Sequence, residues 1–433
     1  MPSDRSRPAG SPEPGRGRRR RGWSSDDLRY GNLLRILRHL RDHGPSSRTD
    51  IAAGCGLAMS TMTELIAELR GRRLVRELKG VPRKGAGRPL RPVALDGEPW
   101  CALGVQVDLS GIHVLASTVG GEELWSDYVS LPLLHSGPEP GWGLLREALD
   151  DQFGRVPEEM TLVAVELALP GYVATDRGTV GWSKDLGWDG LPLQDRVTDQ
   201  LAERGRAEVA VGVAHDCHLA GLHAVRVELA LPLPHVAVYL GGLREVGGAL
   251  VVDGAVFDGE DGSAGDFGHV NVDPRGPSCP CGRNGCLESL IGPTTLLARS
   301  GLVPAEDADT LVTQDPTAAL GALLAAADDG DLRVLAVLAE AGDALGLALD
   351  DIIGAVNPSV VLLGGYLGVL QRYLLEPARA RVARRTAVTS FSATKLIALG
   401  DLAPRVVAGA ALAARDACLA DPLRLTSVVG DGR

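Results

Sequence analysis

Four side chains in the stretch GHVNVDPRGPSCPCGRNGCLE, residues 268–288, are of the types that hold a borderline-soft metal ion: His269, Cys279, Cys281 and Cys286. Three thiolates and one imidazole suit a tetrahedral Zn²⁺ site. Gly282 and Gly285 lie among the cysteines and let the backbone curl, so that closely spaced sulfurs face one ion. Protein fills all four positions, so the expected zinc is structural and not hydrolytic. The competing reading is a loop of reduced surface cysteines. The chain has seven cysteines and no hydrophobic segment behind its N-terminal charges, which predicts a cytoplasmic protein with reduced thiols. In that setting a cysteine cluster reads as a metal site before it reads as disulfides.

The elements that must position these residues belong to a chain of 433 residues, a length that fits two or three domains. No apolar run reaches the roughly 18 residues of a membrane span, so no membrane partner is expected. The net charge of −11 is unevenly spread: residues 1–100 carry 21 Lys+Arg against 11 Asp+Glu, and the remainder carries 23 against 44. A basic front on an acidic body confines contact with a polyanion to the front.

The front divides in two. Residues 1–24 are rich in Pro, Gly, Ser and Arg and predict a disordered basic tail, whose arginines either touch phosphates or are simply solvated. Residues 25–96 predict a winged helix-turn-helix. A first helix over 27–42 carries Leu33, Leu34, Leu37 and Leu40 at helical spacing, and Gly44-Pro45 ends it. Ser47 and Asp50 open a second, short helix as a capping box. Gly54 and Gly56 flank a tight turn, and a third helix follows, beginning near Ala58, with Ser60 as a candidate N-cap and Met62, Leu65, Ile66 and Leu69 on one face. Ser60, Thr61 and Thr63 are then placed to meet base edges or phosphates, and Lys84, Arg88 and Arg91 lie in or beside a basic wing. Double-stranded operator DNA is the expected partner. A small helical interaction domain with a solvated basic loop is the alternative.

Residues 97–433 change character. Apolar strands ending in polar residues alternate with helices, for example AEVAVGVAHD before CHLAGLHAVRVE, and HVAVYLGG before GGALVVDGAVF. This pattern predicts an α/β body whose ligands sit beyond the carboxyl ends of its strands. A long helix is expected over 332–354.

The run Gly268-His269, Cys279-Pro-Cys281-Gly-Arg-Asn-Gly-Cys286-Leu-Glu288, with LALPGYV, KDLGW and NPSVVLLGGYL elsewhere, resembles the signature of the ROK family of repressors, open reading frames and sugar kinases. The Gly-Arg-Pro wing resembles its repressor branch. The resemblance implies a two-lobed, actin-like ATPase (ribonuclease H-like) body, with a sugar in the cleft and zinc ordering the loop beside it. Carried over residue by residue, Asp216, His269 and Glu288 match the family's sugar contacts. His215 replaces an Asn, Asp266 a Glu and Asp185 an Asn, which alters the ligand that fits or abolishes binding. The family's first phosphate loop departs at Gln106, Asp108 and Leu109, and its second, over 241–248, carries Arg244 and Glu245. Side chains replace the glycines that let backbone amides approach a phosphate. The expectation is therefore a regulator and not an enzyme, answering to a sugar or sugar derivative and assembling as a homodimer or homotetramer. A regulator without a ligand, or one controlled by a protein, is the alternative; a sugar kinase ranks behind both.

Overall fold

The computed structural model describes residues 25–79, 91–174, 178–229, 232–386 and 394–422. The tail expected over 1–24, and Lys84 and Arg88 of the wing, lie outside these residues.

Helices α1 (Ser25–His43), α2 (Arg48–Cys55) and α3 (Met59–Gly71) lead into the antiparallel pair β1 (Val75–Glu77) and β2 (Val93–Leu95). The buried stripe of α1 is Leu33, Ile36, Leu37 and Leu40. Ile36 takes the place expected for Leu34, because i, i+3, i+4, i+7 from Leu33 runs through 36 and Leu34 is turned to a half-buried flank. Ser47 caps α2: its hydroxyl accepts from the Asp50 N–H at 3.2 Å and donates to the Asp50 carboxylate at 2.7 Å. Gly56, at φ +64°, closes that helix in the left-handed region. Met62, Leu65, Ile66 and Leu69 are buried on α3 as their spacing predicts. The N-cap is corrected from Ser60 to Ala58, which makes no side-chain cap. The Leu57 N–H still bonds back to the Ala52 carbonyl at 2.9 Å, so the chain turns extended at Ala58 and helix resumes at once.

The body holds two sheets of one design. The first contains β3 (Trp100–Asp108), β4 (Gly111–Thr118), β5 (Glu123–Ser130), β6 (Thr161–Leu169), the helix α4 (Pro138–Gly154) before β6, and, after a small sheet β7 (Tyr172–Ala174), β8 (Thr179–Ser183), β9 (Trp188–Leu191) and the helix α5 (Leu193–Glu203), the strand β10 (Ala210–His215). Its order is β10-β6-β3-β4-β5. Helix α6 (Asp216–His223), prolonged by a π-helical turn over Ala224–Glu228, then crosses to the second sheet. This contains β11 (Val236–Gly241), β12 (Gly247–Val252) and β13 (Ala255–Val256). After helices α7 (Leu287–Ile291), α8 (Pro293–Ser300), α9 (Ala305–Gln314), α10 (Pro316–Asp328) and α11 (Leu332–Val356) comes β14 (Val360–Leu363). Helices α12 (Gly365–Val369) and α13 (Gln371–Thr386) precede β15 (Lys395–Ala398). The order is β13-β12-β11-β14-β15. In each sheet the first three strands are antiparallel, the fourth pairs in parallel with the first and the fifth in parallel with the fourth, so the body is one fold used twice. Each lobe has its own apolar core.

The final helix α14 (Arg405–Ala420) returns to the first lobe and lies on β3, β6 and α6. The approach is close: a Cβ on Gly104 of β3 would stand 2.1 Å from the Ala411 nitrogen. The same helix floors the winged helix. Leu33, Ile36, Leu37 and Leu40 share one core with Trp100, Ala414, Cys418 and Leu419. Asp416 of α14 receives Arg41 of α1 at 3.4 Å and is also bonded to Arg226 of the π-helical turn. No helix among the described residues is long and apolar enough to cross a membrane.

On β6, Glu166 is registered between two bare positions, Gly104 and Gly212. Burial, reinforced by the charge of Asp258, pushes its carboxyl up to about 8 from the ordinary 4.5.

Two expectations follow from these contacts. Asp416→Ala leaves the nearly buried Arg226 guanidinium without its carboxylate and should cost about 1–3 kcal/mol, read as a lower denaturant midpoint at unchanged slope. An unchanged midpoint would show that the bridge holds nothing. Glu166 binds its proton more tightly folded than unfolded, so its contribution makes stability fall as pH rises from about 4.5 to about 8. Glu166→Gln should flatten the fall in melting temperature across that window; parallel curves for variant and parent would contradict the assignment.

Candidate functional site

The metal-ligating residues meet in space. The ligand atoms of His269, Cys279, Cys281 and Cys286 all lie within 4.8 Å of one another. The Cys279 Sγ is 3.4 Å from His269 Nδ1, and the Cys281 and Cys286 sulfurs are 3.6 Å apart. The edges of a tetrahedron around Zn²⁺, at ordinary Zn–S and Zn–N lengths, are about 3.4–3.8 Å. The donor set and its spacing therefore fit the ion. The loop is pinned by the isolated bridges Asn271↔Cys286 and Ser278↔Asn284. Gly285 is obligatory there: its φ is +64°, and a Cβ would stand 1.6 Å from the Asp273 carbonyl oxygen. Cys286 ends the loop as the N-cap residue of α7, and Glu288 follows in the first turn of that helix.

Glu288 faces the cleft between the lobes, where its carboxylate accepts the Val246 N–H just before β12. Asp185 comes from the segment between β8 and β9, with Lys184 Nζ 3.8 Å from its Oδ1. His215 and Asp216 sit at the junction of β10 and α6. Both accept the Cys217 N–H, at 3.1 and 2.6 Å. An Nδ1 that accepts leaves the His215 proton on Nε2, and burial holds the ring below its ordinary pKa despite neighbouring Asp216. The His215 Nδ1 also lies 3.2 Å from the Asp216 Oδ1. Asp266, in the turn before His269, accepts the Tyr172 hydroxyl at 2.5 Å, which links the small sheet of the first lobe to the second.

Five residues expected on one ligand, Asp185, His215, Asp216, Asp266 and Glu288, thus converge on one cleft. His269 lies beside them within the cysteine–histidine cluster. The structure adds Glu245, Lys184 and Tyr172. Burial, then the charges of Glu288, Asp185 and Asp216, push Glu245 up to about 8. Burial raises Glu288 to about 7, against the lowering pull of the Val246 N–H and Lys184. The cleft therefore concentrates carboxyl groups around little positive charge. The hairpin turns after β3 and β11, which were expected to be poor phosphate loops, carry Asp108 and Arg244, and these are bonded to each other at 2.7 Å.

On the winged helix, Ser60 and Thr63 are exposed on α3, and Thr61 is half-buried. Thr63 Oγ1 donates to the Met59 carbonyl at 3.0 Å. Met59 and Glu64 are also exposed on this helix and were not among the expected contacts. Arg91 is exposed and stands 4.0 Å from Glu77. Glu77 also receives Arg48 at 2.6 Å and Arg70 at 3.7 Å. One carboxylate thus ties the second helix, the third helix and the base of the wing together.

Comparison with known proteins agrees with both parts. Residues 31–79 match the IclR helix-turn-helix domain. A putative xylose repressor of Caldicellulosiruptor sp. is 26% identical over 370 residues, 83% of this chain and 89% of that protein. The DNA-binding transcriptional dual regulator NagC of Escherichia coli is 24% identical over 402 residues, 89% and 92% of the two chains. In fold, the chain is similar to a ROK family transcriptional regulator described as a homolog of the E. coli MLC protein, with a TM-score of 0.73 at 22% identity over 93% of this chain and 99% of that one. It is also similar to a ROK family glucokinase from Streptomyces griseus in complex with glucose and AMPPNP, at a TM-score of 0.57 and 22% identity over 73% and 99%. Residues 143–417, more than half of the chain, match the ROK family, and the protein belongs to it.

Proposed function

We propose that this protein is a DNA-binding transcriptional repressor whose ROK body reads a sugar or sugar derivative. The observation that carries this reading is the winged helix seated on the body through a shared core. The named repressors are similar across both parts, over about nine-tenths of their own length. Helix α3 enters the major groove with Ser60 and Thr63 leading and Thr61 at its edge. Lys84, Arg88 and Arg91 supply phosphate or minor-groove contacts from the wing. Two copies in a homodimer present two such helices to a symmetric operator, and a change in their spacing releases it.

Asp185, Asp216, Asp266, Glu288 and His215 offer acceptors and one donor to a polyhydroxyl ligand. Zinc held by His269, Cys279, Cys281 and Cys286 fixes the loop that ends at Glu288 and so has a structural task. The protein acts without phosphoryl transfer. Asp216 occupies the place of a base, but the side chains of Asp108, Leu109, Arg244 and Glu245 stand where glycines would let backbone amides approach a phosphate.

The test is fluorescence anisotropy of DNA from the protein's own upstream region, with and without a panel of sugars and derivatives. One compound should shift affinity at least tenfold, about 1.4 kcal/mol. Asp216→Asn should abolish that shift and leave ligand-free affinity unchanged, whereas Arg91→Ala should weaken all sequences alike and lower the salt slope by about 1. DNA binding that no compound alters would favour control by a protein partner. Steady ATP-dependent phosphorylation of a sugar would defeat the regulator reading. For zinc, Cys281→Ser should reduce metal content from about one ion per chain to near none and raise protease sensitivity over 268–288. Folded parent protein isolated without metal would refute the assignment.

A further inference from the structure

The two lobes repeat one fold, so the β3–β4 turn of the first and the β11–β12 turn of the second are equivalent hairpins. They face each other across the cleft. Asp108, the last residue of β3, and Arg244 of the second hairpin meet across the gap. Their Oδ1 and Nη1 are 2.7 Å apart, and the side chains are only 20% and 18% exposed. Both are anchored from behind. Asp108 Oδ1 also accepts the Leu109 N–H at 2.7 Å within its own turn. The Arg244 Nε donates to the Thr313 carbonyl on α9 at 3.3 Å. An arginine held in this gap by α9 demands an anion, and Asp108 of the opposite lobe supplies it.

We propose that Asp108 and Arg244 form an internal latch that holds the two lobes together, with the chain's own carboxylate filling the gap in place of any bound anion. The latch and the Tyr172–Asp266 hydrogen bond lie on different elements, and both run from the first lobe to the second. Opening the lobes strains both, so loss of one loosens the other. A pair that only stiffens its own hairpins lacks this reach. The proposal concerns the relation of the lobes and stands or falls independently of DNA binding.

Hydrogen exchange on the full chain tests it. Asp108→Ala and Arg244→Ala should each raise exchange at least tenfold at the two hairpins, 106–112 and 241–247, and also at the remote segments 170–174 and 264–268. The double variant should exchange no faster than either single one, and the charge swap D108R/R244D should restore most of the protection. If the alanine variants fail to fold, Asp108→Asn and Arg244→Gln, which keep a polar side chain and remove the charge, serve in their place. Changes confined to the two hairpins would overturn the latch and leave a local ion pair. Additive effects in the double variant would overturn it too. So would protection of the parent hairpins by inorganic tripolyphosphate, because the gap would then accept an outside anion.

Discussion

The body depends on the close contact between its last helix and its first strand. Gly104 gives β3 a bare patch, and the backbone of α14 at Ala410 and Ala411 settles into it. At Gly409 the same helix meets α6, where a Cβ would stand 1.9 Å from the Leu219 carbonyl oxygen. Main chain on main chain leaves no room for adjustment by side-chain rotation. Strand, interlobe helix and final helix therefore form one rigid block. The cleft residues His215 and Asp216 stand at one end of that block, and the DNA-binding helices rest on another part of it.

This arrangement explains how sites far apart in the chain share a frame. The cysteine–histidine cluster ends at Cys286, two residues before Glu288, so the loop that carries the cluster also places a cleft carboxylate. Across the cleft, α6 begins with Asp216 and ends in a π-helical turn bearing Arg226, which meets Asp416 and, through it, Arg41 of the winged helix. π-Helical turns of this kind are frequently found at functional sites. The route from cleft to DNA-binding unit is short because it runs along one helix and across one carboxylate.

What the sequence reveals here follows sequence distance. Ser47 with Asp50, the stripe Met62, Leu65, Ile66 and Leu69, and the clustered cysteines act over a few residues, and their spacing announces them. Ile36 in place of Leu34 was obscured because helix phase depends on the preceding turn, whereas the start of α3 near Ala58 was legible and only its side-chain cap was misassigned to Ser60. Asp266 reads as a ligand contact from its place in a motif, yet its hydroxyl partner is 94 residues away on the other lobe. Asp108 and Arg244 read separately as defects in two loops. Their complementarity spans 136 residues and exists only once the duplicated sheets face each other. Lys184 beside Asp185 was legible as a charge but not as the cation of a carboxyl-rich cleft.

The shared floor beneath the winged helix has a consequence for how the protein is made. Arg41 and its partner Asp416 are 375 residues apart, and Trp100 and Leu419 lie in the same core as Leu33 and Leu40. A ribosome emits the DNA-binding helices first and their floor last. During most of translation the nascent chain thus carries a recognition helix on an unfinished support. A fragment cut before residue 405 keeps the helix-turn-helix and loses the helix that floors it.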